Sequence, residues 1–264
     1  KTKTRQVGTQ EINSIDIVKS ITKFSITLSE KDNINEVLQK AYEIALNGRP
    51  GPVWIEVPLD LQLKKIKSVL LNKKNILKNR KIIYKSLETK IIDLKKLLLN
   101  SKNPVVVAGN GIITSNTISS FKKFIIKYNL PYVCTWLGVN LANVNKSKYC
   151  GRLGISGQRG ANILIQNADL IIVLGSHLCL PQTGVNTKSF APKAKKILIN
   201  IDEKEYRASK IRYHKFIKSD LNVFFSKICN GKEKKINVDK KIINQIQKLN
   251  KIDKIHTIEN KKIN

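Results

Sequence analysis

The residues that could do chemistry in this chain are small and fall in loops. Gly109-Asn110-Gly111 follows the apolar run Pro104–Ala108 (PVVVA). Glycines there let a backbone approach a phosphate or a ring, and a helix start behind them favours an anion. With Thr114 in the final position this is half of a dinucleotide fingerprint, and a plain strand-to-helix turn reads the same way. Thr135-Trp136-Leu137-Gly138 follows a second run. Trp136 lines a ring pocket or fills core there, and residue type alone favours core. Leu153-Gly154-Ile155-Ser156-Gly157-Gln158-Arg159-Gly160 sets small residues ahead of a helix. Gly175-Ser176-His177 follows Leu170–Leu174 (LIIVL), and Asp202 with Glu203 follows Lys196–Ile201 (KILINI). A carboxylate at a strand end accepts hydrogen bonds from a ribose or caps a helix. Together these loops describe a dinucleotide-sized cleft. Reacting groups are not evident. His177, His214 and His256 lie far apart, and no G-x-S-x-G, Walker loop or metal pair occurs.

Such loops converge only if a parallel sheet carries them, with ligands at its C-terminal edge. The pattern supports that sheet. Leu87–Leu99 is amphipathic, and helices are expected at Ser115–Lys127, Gln158–Asn167 and Asp220–Cys229. Between them stand the strands Pro104–Ala108, Pro131–Thr135, Leu170–Leu174 and Lys196–Ile201. Strands alternating with helices of this length imply βαβ crossovers. Upstream, Asn33–Asn47 reads as a helix capped by Asn33 with Glu36 and ended by Gly48. Pro50-Gly51-Pro52 then turns the chain into Val53–Val57, a strand of the kind buried on both faces. The fold class is α/β. A Rossmann-like parallel-sheet domain, of the flavin- or nicotinamide-binding type, spans 87–228, and the last helix–strand unit of another α/β domain spans 1–62. Residues 63–86 hold nine Lys or Arg and no acid and read as a linker, as do the Lys-, Ile- and Asn-rich residues 229–264.

The totals bound the function. The net charge of +30 points by itself to nucleic acid. Only seven of the 49 basic residues are Arg, however, and the lysines spread over the whole length, so A/T-rich codon usage is a sufficient cause. Aromatics at 6% are too few for a base-stacking platform. Neither a nucleic-acid partner nor a membrane partner is expected, because no apolar run approaches the roughly 18 residues a membrane helix needs. Cys134, Cys150, Cys179 and Cys229 are far apart and read as reduced thiols of a cytoplasmic protein, not as a zinc site. The sequence contains no Met, which reads as a piece of a longer product.

Several stretches resemble one family. GRPGPVWIEVPLDLQ looks like the end of the pyrimidine-binding domain of thiamine-diphosphate enzymes of the acetolactate synthase type, and RQVGTQEINSIDIVKSITKFSITL looks like the segment before it. NPVVVAGNGI, LPYVCTWLG, GRLGISGQRGANILIQNADLIIVLGS and AKKILINIDEKE look like successive pieces of the central domain. The resemblance implies an enzyme whose thiamine diphosphate and Mg2+ sit between a pyrimidine-binding and a pyrophosphate-binding domain. It also implies a homodimer or homotetramer acting as a lyase or transferase on a 2-keto acid. The activating glutamate is expected upstream of Lys1 and the Gly-Asp-Gly…Asn segment downstream of Asn264, so this chain alone is expected to be inactive, with Gln10 as an active-site neighbour.

In the acetolactate synthase branch the resemblance also implies FAD in the central domain. Its site would comprise Gly109, Asn110, Gly111, Thr135, Trp136, Leu137, Leu153, Gly154, Ile155, Ser156, Gly175, Ser176, Asp202 and Asp220. The chain departs from that pattern where flavin-binding members tend to carry Arg, an acid and Arg. Here His177, Cys179 and Pro181 stand in those places, which removes the charge-assisted grip on a diphosphate. The competing expectation is a stand-alone nucleotide-binding scaffold without catalysis.

Overall fold

The computed structural model describes residues 12–65, 86–231 and 235–259, with side chains described as far as 251. Two compact units divide the chain, Lys1–Ile82 and Ile83–Asn264.

In the first unit come α1 (Ser14–Val18), β1 (Phe24–Thr27), α2 (Ile34–Leu46), β2 (Val53–Glu56) and the short α3 (Leu59–Gln62). The Asn33 side chain accepts from the Asn35 and Glu36 amides, so α2 starts where the expected cap stands. Gly48 takes φ +66° just past its end. Lys23 finishes the cap from outside the helix. Its Nζ donates to the carbonyl of Ile44, in the last turn that a helix leaves unpaired, and to those of Asn47 and Arg49 in the turn that follows. β1 and β2 run parallel, from Phe24 opposite Val53 to Thr27 opposite Glu56. β2 is not buried on both faces as its composition predicts, since Trp54 is 43% exposed. Two strands and one long helix supply too little cover for a parallel sheet.

The second unit is built from α4 (Leu87–Asn100), β3 (Pro104–Ala108), α5 (Gly111–Thr114), α6 (Ile118–Tyr128), β4 (Tyr132–Cys134), a 3-10 turn (Trp136–Asn143) and β5 (Tyr149–Arg152). There follow α7 (Arg159–Gln166), β6 (Leu170–Leu174), α8 (Leu180–Thr183), β7 (Lys195–Asn200), α9 (Glu203–Ala208), β8 (Lys215–Lys218), α10 (Leu221–Ile228) and α11 (Lys240–Glu259). Six parallel strands stand in the order β5-β4-β3-β6-β7-β8. Counted within the unit this is 3-2-1-4-5-6, the doubly wound order that reverses between its first and fourth strands. PVVVA and LIIVL are the two central strands, paired from Pro104 opposite Leu170 to Ala108 opposite Leu174 and buried throughout. On one face, Phe121 and Phe124 of α6 meet Phe224 and Phe225 of α10 with ring centroids 5.8–6.4 Å apart, and Tyr128 Oη donates to Ile228 O at 2.7 Å.

The described part of 229–264, a range read from composition as linker, contributes to this core. Ile236, Val238, Ile243 and Ile246 are buried. Gln247 Nε2 donates to Tyr149 O at 3.0 Å and Asn250 Nδ2 to Cys150 O at 2.8 Å. α11 thereby covers β5, the edge strand that would otherwise show unpaired backbone.

Asp169 ties the N-terminal ends of the two central strands. Its carboxylate accepts from Ser101 Oγ, the Lys102 amide (2.7 Å) and the Asn103 amide (3.0 Å). Burial pushes its pKa up, but these hydrogen bonds outweigh burial and hold it below the usual carboxylate value. A depressed folded pKa means stability that is present above the unfolded value near 3.9 and lost as pH falls through the folded one. Asp169→Asn is therefore expected to lower stability by about 2 kcal/mol at pH 7 and to flatten the acid limb below about pH 4. Urea midpoints across pH measure it, and an unchanged acid limb would refute it.

Candidate functional site

The C-terminal ends of β3 and β6 lie side by side at the reversal of strand order, where a doubly wound sheet takes its ligands. The Gly109 amide donates to Leu174 O and the Gly111 amide to Gly175 O, each at 2.9 Å. A Cβ placed on Gly109 would stand 2.3 Å from Gly175 O, and one placed on Gly175 would stand 2.7 Å from the Gly111 Cα. The absence of side chains on these glycines allows that approach. They admit each other, and the two loops are welded backbone to backbone. Asn110, half-buried between them, precedes α5.

The loops after β4 and β5 sit beside this weld. Thr135 is buried and its amide donates to Ala108 O at 3.0 Å. Trp136 does not fill core as residue type alone favours. It is 55% exposed and Leu137 is 76% exposed, because the chain leaves β4 in a 3-10 turn that lifts both outward. Leu153 is buried, with its amide on Cys134 O at 3.0 Å. The Gly154 amide donates to Asn162 Oδ1 at 2.9 Å and the Ile155 amide to Pro181 O at 2.8 Å. Ser156 is exposed, and its carbonyl receives Arg152 Nε at 3.1 Å and Nη2 at 2.5 Å.

The acids at the far strand ends cap helices. Asp202 accepts from the Lys204 amide at 2.8 Å ahead of α9, and Asp220 from the Asn222 amide at 2.7 Å ahead of α10. Ser176 Oγ accepts from the Leu178 amide at 3.3 Å. His177 Nδ1 lies 3.6 Å from Glu205 Oε1, and Glu205 Oε2 accepts from Asn200 Nδ2 at 3.0 Å. Gln10 lies outside the described residues.

Several of these residues are not free to hold the diphosphate of FAD. A diphosphate needs free amide donors or guanidinium groups. The Gly109, Gly111, Gly154 and Ile155 amides are spent within the protein. Cys179 and Pro181 carry no cation, and His177 faces a carboxylate. Nucleophilic chemistry has no foothold at the buried thiols either, since burial pushes Cys134 and Cys150 up to about 12. Among the described residues no group of three His, Cys, Asp or Glu is placed to hold a metal ion. No helix among them is long and apolar enough to cross a membrane.

Open space does exist at this edge, displaced from the weld. A pocket of about 230 Å³ lies between α7 and the segment 182–190, lined by Leu153, Gly154 and Ile155 together with Gln166, Gln182 and Phe190, among others. The run of small residues at 153–157 marks one wall in the sequence. Gln166, Gln182 and Phe190 carry no such signal, because Gln166 ends α7 and the segment that holds the other two meets it only through the fold.

The family profile for the thiamine pyrophosphate enzyme central domain matches residues 91–227, just over half of the chain. The chain is 34% identical over 170 residues to the acetolactate synthase large subunit of Lactococcus lactis subsp. lactis (strain IL1403), covering 63% of this chain and 29% of that protein. To the acetolactate synthase isozyme 2 large subunit of Escherichia coli (strain K12) it is 27% identical over 214 residues, covering 81% and 38%. To the probable acetolactate synthase large subunit of Methanococcus aeolicus it is 29% identical over 257 residues, covering 93% and 42%. The chain thus spans between 29% and 42% of the length of these relatives.

Proposed function

The chain belongs to the acetolactate synthase-like thiamine pyrophosphate enzymes, through their central domain, and from that premise we propose that it is part of an enzyme that decarboxylates a 2-keto acid and joins the remainder to an acceptor. The observation that carries this reading is the match over 91–227 on a sheet of 3-2-1-4-5-6 order. Residues 1–62 are read as the end of the pyrimidine-binding domain and 87–228 as the central domain. When bound, thiamine diphosphate supplies the electron sink that lets a 2-keto acid lose carbon dioxide. The cofactor and its Mg2+ are assigned to domains beyond the described residues.

The role left to this chain is mechanical. Its close-packed sheet fixes the C-terminal edge loops relative to one another, and no proton transfer is assigned to them. The first unit leaves Leu38, Tyr42 and Leu46 exposed along one side of α2, at four-residue spacing. Such a stripe gains from being covered, which supports assembly at least as a homodimer.

The test uses the full-length polypeptide with thiamine diphosphate, Mg2+ and pyruvate. Carbon dioxide and acetolactate are the expected products, while the 264-residue chain alone is expected to release neither. Turnover by the short chain alone, or none by the full-length protein on any 2-keto acid offered, would overturn the reading.

A further inference from the structure

We propose that the pocket between α7 and the segment 182–190 is a binding site for a small, uncharged, hydroxyl-bearing molecule. At about 230 Å³ it holds between seven and eight waters' worth of liquid volume, at about 30 Å³ each. That is room for one ring with its substituents and far too little for a dinucleotide.

The lining decides the chemistry. Leu153, Ile165 and Phe190 are nearly fully buried and make the apolar part of the wall. The polar part is Asn162, Gln166, Gln182 and Thr183, and among the described residues no charged side chain lines the pocket. Asn162 is consumed by Gly154, accepting from its amide at 2.9 Å and donating to its carbonyl at 3.0 Å. The two glutamines are half-committed. Gln166 Oε1 accepts from the Ala191 amide at 2.9 Å, and Gln182 Oε1 accepts from the Cys179 amide at 2.9 Å. A backbone N–H can face only the oxygen of a carboxamide, so both side chains are fixed in orientation by the network. The Nε2 of each has no partner among the described residues. Thr183 Oγ1, which donates within its own turn, keeps a lone pair.

Two NH2 groups, a hydroxyl acceptor and an apolar wall suit a neutral molecule with several oxygens. A 2-keto acid or a phosphate would bring a charge that nothing in the lining offsets. The site needs no thiamine cofactor, so it stands or falls separately from turnover.

The experiment is a titration of the purified chain with D-glucose, followed by backbone NMR shifts, with pyruvate and FAD as charged comparators. Saturable shifts are expected at the amides of Gly154, Ile155, Gln182 and Gly184, with a dissociation constant on the order of 1–10 mM for a ligand of this size. Gln182→Glu and Gln166→Glu keep an oxygen for the Cys179 and Ala191 amides and delete the NH2 donors, so the fold is retained. Each is expected to weaken glucose binding about five-fold. Pyruvate and FAD are expected to shift none of these amides. Shifts scattered over the surface, binding unchanged in both variants, or pyruvate or FAD saturating the same amides would each overturn the proposal.

Discussion

Gly175→Ala is expected to destabilise the second unit by about 2–5 kcal/mol, reaching toward the upper limit for a single substitution. Two costs add at this position. Gly175 sits at φ +61°, where a side chain adds about 1–2 kcal/mol. Its new Cβ would stand 2.7 Å from the Gly111 Cα and 2.9 Å from the Gly111 carbonyl carbon. Both are backbone atoms at the head of α5 and cannot rotate away, so the two central strand ends must separate, and overpacking of this kind costs about 1–3 kcal/mol or more. Two further substitutions divide the effect. Gly184 has φ +78° and open space around it, so Gly184→Ala carries backbone strain alone, about 1–3 kcal/mol. Gly109 has no positive φ, but its Cβ would lie 2.3 Å from Gly175 O, so Gly109→Ala carries packing alone. The Gly109→Ala, Gly175→Ala pair is expected to cost less than the sum of its parts, since both open one contact. Urea unfolding followed by Trp136 fluorescence in a Trp54→Phe background isolates the second unit, because the chain has only two tryptophans. If Gly175→Ala costs no more than Gly184→Ala, the weld is not close-packed.

That weld shows how a glycine's meaning is divided between sequence and coordinates. Gly109, Gly111 and Gly175 are legible as positions where backbone must come close to something. Whether the something is a phosphate or another loop is set by the partner strand, and Gly175 is distant in sequence from Gly109. The central strands were equally legible, because PVVVA and LIIVL are apolar throughout and buried on both faces. The edge strands were not. β5 reads Tyr-Cys-Gly-Arg with Gly151 at φ +105°, and β8 begins and ends in Lys, so neither shows alternation or an apolar run. The cap by Lys23 was hidden for another reason. Its three acceptor carbonyls lie more than 20 residues away, where no local pattern reaches. In the site, Asp202 and Asp220 show the two uses a carboxylate has at a strand end, and the capping use is the one found.

Gly160→Val is expected to detach α11 and to leave the chain self-associating. The helix approaches α7 so closely that even a methyl group on Gly160 would stand 2.6 Å from Asn250 Oδ1 and 2.7 Å from Ile246 O. The first atom can move with its side chain; the second is helix backbone and cannot. Gly160→Ala should therefore cost about 2–3 kcal/mol, and Asn250→Ala should relieve only part of it. Asn250→Ala alone gives up the bond to Cys150 O but also removes a buried oxygen that has no partner among the described residues, so its own cost should be near 1 kcal/mol or less. Val adds two branches that no shift of Asn250 can accommodate. Undocking uncovers Ile243 and Ile246, each worth about 1.5–3 kcal/mol when buried, and frees the carbonyls of Tyr149 and Cys150 at the edge of the sheet. An uncovered edge strand recruits another strand, most readily that of a second copy. Trypsin should then cut at Lys240, Lys241 and Lys248 at least ten-fold faster, and light scattering should show a species larger than the parent's. A Gly160→Val chain that keeps the parent's size and resists trypsin as the parent does would mean that α11 is held by its apolar face alone, with the close approach at Gly160 incidental.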